Sequence, residues 1–314
     1  MTTTAEHWQT EIRRAARGVR LRVLEHTIEH GGYLSQACSS AEMLTTLYLR
    51  AMKLGPSEGP MIPPPFGKDD VPGAGNPSHH SGAAYNGPKA PHYDRFFFSP
   101  THYALSLYAT LIEVGRLAPE GLAQFNQDGS SVEMIGGEHS PGHEVNGGSF
   151  GQAVSQAAGV AVARRLKGEP GHVWVFMSDG EFQEGQTWES FLTMAFHQVD
   201  NLTVVVDMNN QQVDGRMSDV MAIEPLPEKL RAFGAEVVVV NGHDIEAIQA
   251  ATETEHPGRP LVILGYTSPT QGLEILQERY PYLHYVRFKS EDERRRYREF
   301  LALKRSEEVT GGDA

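Results

Sequence analysis

Residues 178–215 read SDGEFQEGQTWESFLTMAFHQVDNLTVVVDMNNQQVDG, and the fold is decided there. A short apolar run, His172-Val-Trp-Val-Phe-Met177, precedes the stretch and reads as a strand. Ser178-Asp179-Gly180 breaks that run, and Thr187 to Gln198 then carries apolar residues at helical spacing. Leu202-Thr-Val-Val-Val-Asp207 is a β-branched strand, closed by Met208-Asn209-Asn210-Gln211. Strand, helix, strand is a βαβ unit, and two strands joined through a helix run parallel. In open α/β sheets, ligands bind beyond the C-terminal ends of the strands. Neighbouring strands would bring Asp179 and Asn209 side by side at one sheet edge. A carboxylate, an amide oxygen and a turn carbonyl make part of a hard-oxygen cage, which Mg²⁺ usually completes with phosphate oxygens and water. Gly180 would let a phosphate approach the backbone, and the following helix start would add amide donors. An Asp-Gly after a strand is by itself usually only a turn; the whole string and its spacing carry the reading.

The same alternation extends outward. Gln152 to Leu166 is an Ala/Val-rich helix. Glu236–Val240 and Leu261–Leu264 read as two further strands, with Asp244 capping a helix over Ile245–Thr252 between them. Ser290 and Glu293 form a capping box for a last helix running to about Lys304, followed by a short polar tail over 306–314. The apolar runs are continuous, as expected of parallel strands buried on both faces. Near the N-terminus, Trp8, Ile12, Ala16, Val19 and Val23 recur at helical spacing, with Gly31-Gly32 as the stop and the five arginines between Arg13 and Arg22 as the wet side. A second helix is expected over Ala41–Met52. Gly55 to Pro91 is punctuated by Pro and Gly so often that neither helix nor strand can run far; it reads as a surface loop or a functional, partner-facing one. His79-His80 within it is a pair without a third ligand, and reads as solvated.

Composition bounds the function. The chain has 314 residues, 39% hydrophobic and 21% charged, which suits a packed α/β protein rather than a disordered one. No apolar run is long enough for a membrane helix, and Met1 to Gly18 lacks the apolar stretch of a signal peptide. Cys38 is the single cysteine, so neither an intramolecular disulfide nor a cysteine metal cluster can form within the chain. A cytoplasmic location is expected. The net charge of −13 argues against general nucleic-acid binding, but not against an anionic small ligand, because backbone amides and a metal reverse the sign locally.

The 178–215 stretch resembles the thiamine-diphosphate signature, Asp-Gly followed about thirty residues later by Asn, and more narrowly transketolase, in the form of a separately encoded N-terminal subunit. The run Glu181-Phe-Gln-Glu-Gly-Gln-Thr-Trp-Glu189 is the most specific part. Asp94-Arg-Phe-Phe-Phe-Ser-Pro-Thr-His102 is similar to the family stretch preceding a cofactor-contacting histidine. Ser140-Pro-Gly-His-Glu-Val-Asn-Gly-Gly-Ser-Phe-Gly-Gln152 is similar to the Gly-rich segment that packs on the cofactor, and Tyr282-Leu-His284 to the site of a late histidine.

The resemblance implies a parallel-sheet thiamine-diphosphate-binding α/β fold, with residues 1–314 forming one diphosphate-binding domain. It implies Mg²⁺ held by Asp179, Asn209 and the backbone carbonyl of Gln211. It places Gly180 and Glu181 against the diphosphate, and Gly148, Ser149 and Phe150 against the cofactor. His102 would touch the cofactor and, with His284 and Glu184, serve catalysis; Glu184 and Glu189 would lie at a subunit interface. Each residue has a plainer reading: His102 as a helix-start histidine, His284 as a packed histidine among tyrosines, the two glutamates as solvated helix faces. His139 and His143 are ambiguous. The implied reaction moves a two-carbon ketol unit from a ketose donor, phosphorylated or related, to an aldose. A separate pyrimidine-binding subunit, in an α₂β₂ assembly, would complete the site. The chain departs from the family pattern at Ser178, where the signature has glycine, and at Tyr33, where members carry a sugar-handling histidine; an altered donor or acceptor is the expectation. A 2-oxo acid dehydrogenase-type or other thiamine-diphosphate enzyme α subunit, such as a deoxyxylulose-phosphate-synthase relative, and a non-catalytic regulatory relative remain alternatives. An NAD-binding protein is disfavoured, since no G-x-G-x-x-G joins an early strand to a helix.

Overall fold

The structure, a computed structural model, describes residues 4–64 and 81–310. His79 and His80 lie outside the described residues. The main elements in chain order are α1 (Thr4–His30), α2 (Leu34–Thr46), β1 (Arg95–Phe98), α3 (Ala104–Glu113), α4 (Gln152–Lys167), β2 (Val173–Ser178), α5 (Gly185–Phe196) and β3 (Leu202–Met208). A short ribbon, β4 (Gln211–Gln212) and β5 (Gly215–Arg216), leads to α6 (Met217–Val220) and α7 (Leu226–Ala232). β6 (Glu236–Asn241), α8 (Ile245–Thr252), β7 (Leu261–Tyr266) and α9 (Glu291–Thr310) follow.

Five strands form one parallel sheet in the order β1-β2-β3-β7-β6. Successive side chains on a strand point to opposite faces, so each strand feeds two cores. Phe96, Phe98, Trp174, Phe176, Val205 and Ile263 face the layer built by α1, α2, α3, α8 and α9. Phe97, Val175, Met177, Val204, Val206 and Leu264 face the layer of α4, α5 and α7. Helices thus cover both faces, which a parallel sheet of continuous apolar strands requires. Among the described residues no helix is long and apolar enough to cross a membrane.

Several expectations are corrected. The second helix begins at Leu34, not Ala41, and ends as a wider turn over Leu47–Ala51. Its Ser and Thr residues hide the start in the sequence, yet Ser40 Oγ donates to Gln36 O at 2.6 Å and Thr45 Oγ1 to Ala41 O at 2.7 Å within the helix, while Ser35 and Ser39 bond Leu283 O and Asp207 outside it. Arg20 is not on a wet face: it is buried and ion-paired with buried Glu42. β6 is an edge strand, so it is not buried on both faces, and its Val239 is 48% exposed. The last helix continues past Lys304 to Thr310, which takes in most of the supposed tail. Its capping box is half formed: Ser290 Oγ accepts from Glu293 N at 3.2 Å, whereas the Glu293 carboxylate turns to Lys289 N at 2.9 Å. Asp244 caps α8 as read, accepting from Ala247 N at 2.9 Å. Arg95–Phe98 is a further strand, too short, at four residues, for a period to mark it out in the sequence. In the Pro/Gly-rich loop, Gly82–Asn86 forms a tight turn whose Tyr85 and Asn86 are buried, with Tyr48 OH donating to Asn86 Oδ1 at 2.8 Å. That part is anchored in the core rather than lying on the surface.

Candidate active site

The register sets Ser178 opposite Asp207. The residues just beyond both strands therefore share one edge of the sheet, where a cavity of about 450 Å³ opens. Asp179 and Asn209 both stand in its wall, with Gly180, Gln183, Gln211 and Gln212. Asp179 is buried; its Oδ1 accepts from Gly180 N at 2.9 Å and its Oδ2 from Asn210 N at 2.7 Å. The Asn209 amide is fixed in orientation. Its Nδ2 donates to Tyr103 OH at 2.7 Å and to Asp207 Oδ2 at 3.0 Å, while Oδ1 accepts from Gln211 N at 2.9 Å.

Asp207 is the hub behind this edge. It is fully buried and also accepts from Ser39 Oγ and Thr267 Oγ1, each at 2.5 Å, and from Tyr103 OH at 2.9 Å. Burial raises the Asp207 carboxyl above the usual carboxylate range, and these donors only partly offset it. Asp179 is raised further, first by burial and then by the Asp207 charge. Among the described residues, neither carboxylate has a lysine or arginine partner. Two adjacent buried carboxylates without a counter-charge are costly, and a divalent cation on the Asp179 side would remove that cost. The donor set fits: oxygen only, with the Asn209 nitrogen turned away. Among the described residues no three His, Cys, Asp or Glu converge on a metal position, so any cage must draw on amide and backbone oxygens, such as Asn209 Oδ1 and the Gln211 carbonyl. A Cβ placed on Gly180 would stand in open space, its nearest neighbour Gln212 Nε2 at 3.8 Å. An anionic group could occupy that space against the backbone.

The opposite wall is aromatic. His102 follows β1 through a tight turn at Thr101–Tyr103. Its ring lies 5.3 Å from that of His284, 5.7 Å from Tyr33 and 5.4 Å from Phe150. Burial, and then the neighbouring His284, holds His102 down to about 3, so its imidazole is neutral at physiological pH. Its Nδ1 is buried without a hydrogen-bond partner, which leaves it available to a bound group. His284 is also lowered by burial, against the opposing charge of Asp214. Gln36 Nε2 stands 3.5 Å from His284 Nδ1 and donates to His284 O at 3.2 Å.

Not every residue implied by the resemblance meets this cavity. Gly148 and Phe150 line it, but Ser149 between them is exposed and does not. The Glu181 side chain points away. It is fully buried, accepts from Ser178 N at 3.0 Å and Gly151 N at 3.3 Å, and is bonded to Ser99 Oγ. Its side chain ties the end of β1, β2 and the Gly-rich segment together. Ser178 explains the departure from glycine: its φ of −98° suits any residue, and with Glu181 it forms a capping box. Glu184 is exposed at the cavity mouth, and Glu189 is exposed on α5 outside it. His143 is a core residue, its ring edge-on to Phe98 at 5.5 Å, whereas His139 pairs with Glu133 at 3.0 Å. Sequence reading missed Asp207, Tyr103, Ser39 and Gln36. A carboxylate ending an apolar strand was the available signal, since such a group is almost never buried without partners.

A parallel α/β sheet with an acid-amide edge, an open glycine and a neutral imidazole wall at one cavity defines a cofactor-binding domain of the α/β class. The chain belongs to the transketolase family: the family described as transketolase, thiamine diphosphate binding domain, matches residues 80–272. It is 32% identical over 268 residues to a putative uncharacterized transketolase family protein of Sinorhizobium fredii, covering 82% of this chain and 85% of that one. It is 29% identical to an apulose-4-phosphate transketolase subunit of Actinobacillus succinogenes, covering 88% and 91%. A transketolase of Pichia stipitis, solved with sedoheptulose 7-phosphate, superposes with a TM-score of 0.70 at 19% identity, covering 94% of this chain and 44% of that one. The chain thus spans less than half the length of that solved enzyme.

Proposed function

We propose that this chain, over its whole length, is the diphosphate-binding subunit of a transketolase-like enzyme that transfers a two-carbon ketol unit from a ketose to an aldose. A separate pyrimidine-binding subunit would complete the site in an α₂β₂ assembly. The observation that carries the reading is the edge where buried Asp179 and oriented Asn209 face a cavity closed by two neutral imidazoles. Two facts support a partner. The Actinobacillus relative, of nearly equal span, is named as one subunit of its transketolase. On α5, Glu189, Leu192, Thr193 and Phe196 share an exposed face, with Phe196 82% exposed.

Asp179 Oδ, Asn209 Oδ1 and the Gln211 carbonyl would hold Mg²⁺, and Gly180 N–H with the turn behind it would receive the diphosphate. Thiamine diphosphate supplies the electron sink for breaking and making the carbon–carbon bond. The chain supplies binding, orientation and proton handling. Gln36 Nε2 beside His284 Nδ1 makes that nitrogen the acceptor, so Nε2 carries the ring proton. A neutral His284 can then share a proton with a substrate hydroxyl. His102, also neutral, offers its unpartnered Nδ1. Both rings, with Tyr33 and Phe150, keep water from the reacting carbon. Tyr33 sets the specificity apart from the family pattern.

The test is native mass spectrometry of the gently isolated complex with Mg²⁺, followed by transferase assays on ketose donors. A second polypeptide and about one thiamine diphosphate per pair of chains are expected. Asp179→Asn should abolish Mg²⁺-dependent cofactor binding, and survival of that binding in the variant would rule the metal assignment out. Turnover of a 2-oxo acid in place of ketoses would favour a dehydrogenase-type subunit.

A further inference from the structure

Helix α2 is buried, yet Gln36, Ser39 and Glu42, three residues apart, leave it along one broad face. Each reaches a different segment of the chain. Just ahead of the helix, Gly32 and Val286 exchange backbone hydrogen bonds of 3.0 and 2.8 Å. Gln36 Nε2 then donates to His284 O, and Ser39 Oγ to Asp207 Oδ2. Glu42 stands behind the cavity wall. Its Oε2 takes the buried guanidinium of Arg20 and, at 3.0 Å, Nδ1 of His243. Burial would raise the Glu42 carboxyl, but the Arg20 charge and then the His243 hydrogen bond hold it below the usual carboxylate range, so it is an anion.

His243 stands in the turn after β6 and faces the turn after β7. Its Nε2 accepts from Ser268 N at 2.8 Å, and a backbone N–H can only donate. The ring proton therefore sits on Nδ1 and is given to Glu42. Gly242 lets the two turns close, since a Cβ there would run into the Thr267 methyl. Thr267 is gripped on both sides. Its N–H is donated to Met208 O at 3.2 Å and its hydroxyl to Asp207 Oδ1 at 2.5 Å, while the next N–H goes to His243. Asp207 in turn accepts from Asn209 Nδ2 at 3.0 Å, and Asn209 Oδ1 accepts from Gln211 N at 2.9 Å. Glu42 is thus joined to the Asn209 amide by hydrogen bonds and the single peptide step from Ser268 to Thr267. Three apolar side chains in place of Arg20, Glu42 and His243 would cost little stability, because a buried ion pair gains little over well-packed carbon. They could not direct an N–H.

We infer that His243, fixed by Glu42, is a positioning residue for the cavity edge. It sets the Thr267–Ser268 turn so that Thr267 reaches Asp207, and Asp207 then holds the Asn209 amide with its nitrogen turned away from the edge. The orientation of Asn209 stands apart from any ligand; only its consequence for metal affinity rests on the proposed cofactor reading.

Hydrogen exchange of the isolated complex, resolved to single amides by fragmentation mass spectrometry, tests the orientation without added cofactor. His243→Met removes both hydrogen bonds of the ring at similar volume, whereas His243→Gln can keep an acceptor for Ser268. Exchange at Ser268 and at distant Gln211 should quicken about fivefold or more in His243→Met and stay slow in His243→Gln. Thr267→Val breaks the next link, and should quicken Gln211 while Ser268 stays slow. Leu230→Ala, in the opposite helical layer, lowers stability without touching the path and should quicken neither selectively. Unaltered exchange at Gln211 in His243→Met overturns the proposal, and so does equal quickening in Leu230→Ala. If His243→Met does not fold, His243→Asn, too short to reach Ser268, decides by the same readout. With thiamine diphosphate added, the Mg²⁺ concentration at half-saturation should rise about tenfold in His243→Met and less than about threefold in His243→Gln. Quickened exchange in a complex that binds no thiamine diphosphate, or at unchanged Mg²⁺ affinity, would sink the cofactor reading of this edge and leave the positioning of Asn209 standing.

Discussion

Asp207 shows how much of the candidate site depends on a residue that does not line the cavity. Its carboxylate accepts from Ser39, Tyr103, Thr267 and Asn209, and so decides which way the Asn209 amide faces. Asp207→Ala would leave those donors unsatisfied in a dry site, and should cost about 2–4 kcal/mol in urea unfolding. It should also weaken Mg²⁺-dependent cofactor binding, because the amide is then free to turn. Full stability with unchanged binding would show the network to be incidental. Asp179 and Asn209 were legible in the sequence because they follow apolar strands at fixed offsets. Glu181 shows where spacing stops informing: its place beside Gly180 reads as lying against the diphosphate, whereas its side chain caps the turn from behind. Nothing in spacing distinguishes those two faces of a turn.

At the scale of elements, the parallel sheet was readable because buried β-branched runs alternate with helical spacing. The helix over Leu34–Thr46 was not, because it is buried all round and carries no amphipathic period. The isolated bridge between Gly32 and Val286 was invisible too, since it joins two short segments from opposite ends of the chain. Gly31→Ala tests its importance. The substitution forces a positive φ on alanine and crowds Val286 O, so a loss of about 1–2 kcal/mol is expected. Amide exchange at Val286, whose N–H is donated to Gly32 O, should speed up with it. Unaltered exchange would mean that the bridge survives the strain and plays no positioning part.

For the molecule as a whole, acid should be more damaging than the carboxylate content suggests. Burial holds His26, His143 and His172 at about 4, below the usual 6.5 of an imidazole. A histidine lowered in the folded state contributes stability that is present above pH 6.5 and is lost as pH falls from there towards 4. For fully buried His143 the loss is of the order of 3 kcal/mol at most. His143→Met should flatten this acid limb between pH 6.5 and 5 in urea midpoints, whereas parallel curves for both proteins would count against the assignment. The division of the chain into a sheet and two helical layers follows from the sequence. Which helix pairs with which does not, since α1 and α9 meet through exposed charges such as Arg305–Glu25, for which a sequence offers many equal partners. The Gly32–Val286 bridge carries a last consequence for how the protein comes into being. The wall bearing Tyr33 cannot close until Val286 has left the ribosome, although Asp179 and Asn209 emerge well before. A nascent chain can gather much of its sheet early, but the cavity at the sheet's edge stays without its aromatic wall until that later segment arrives.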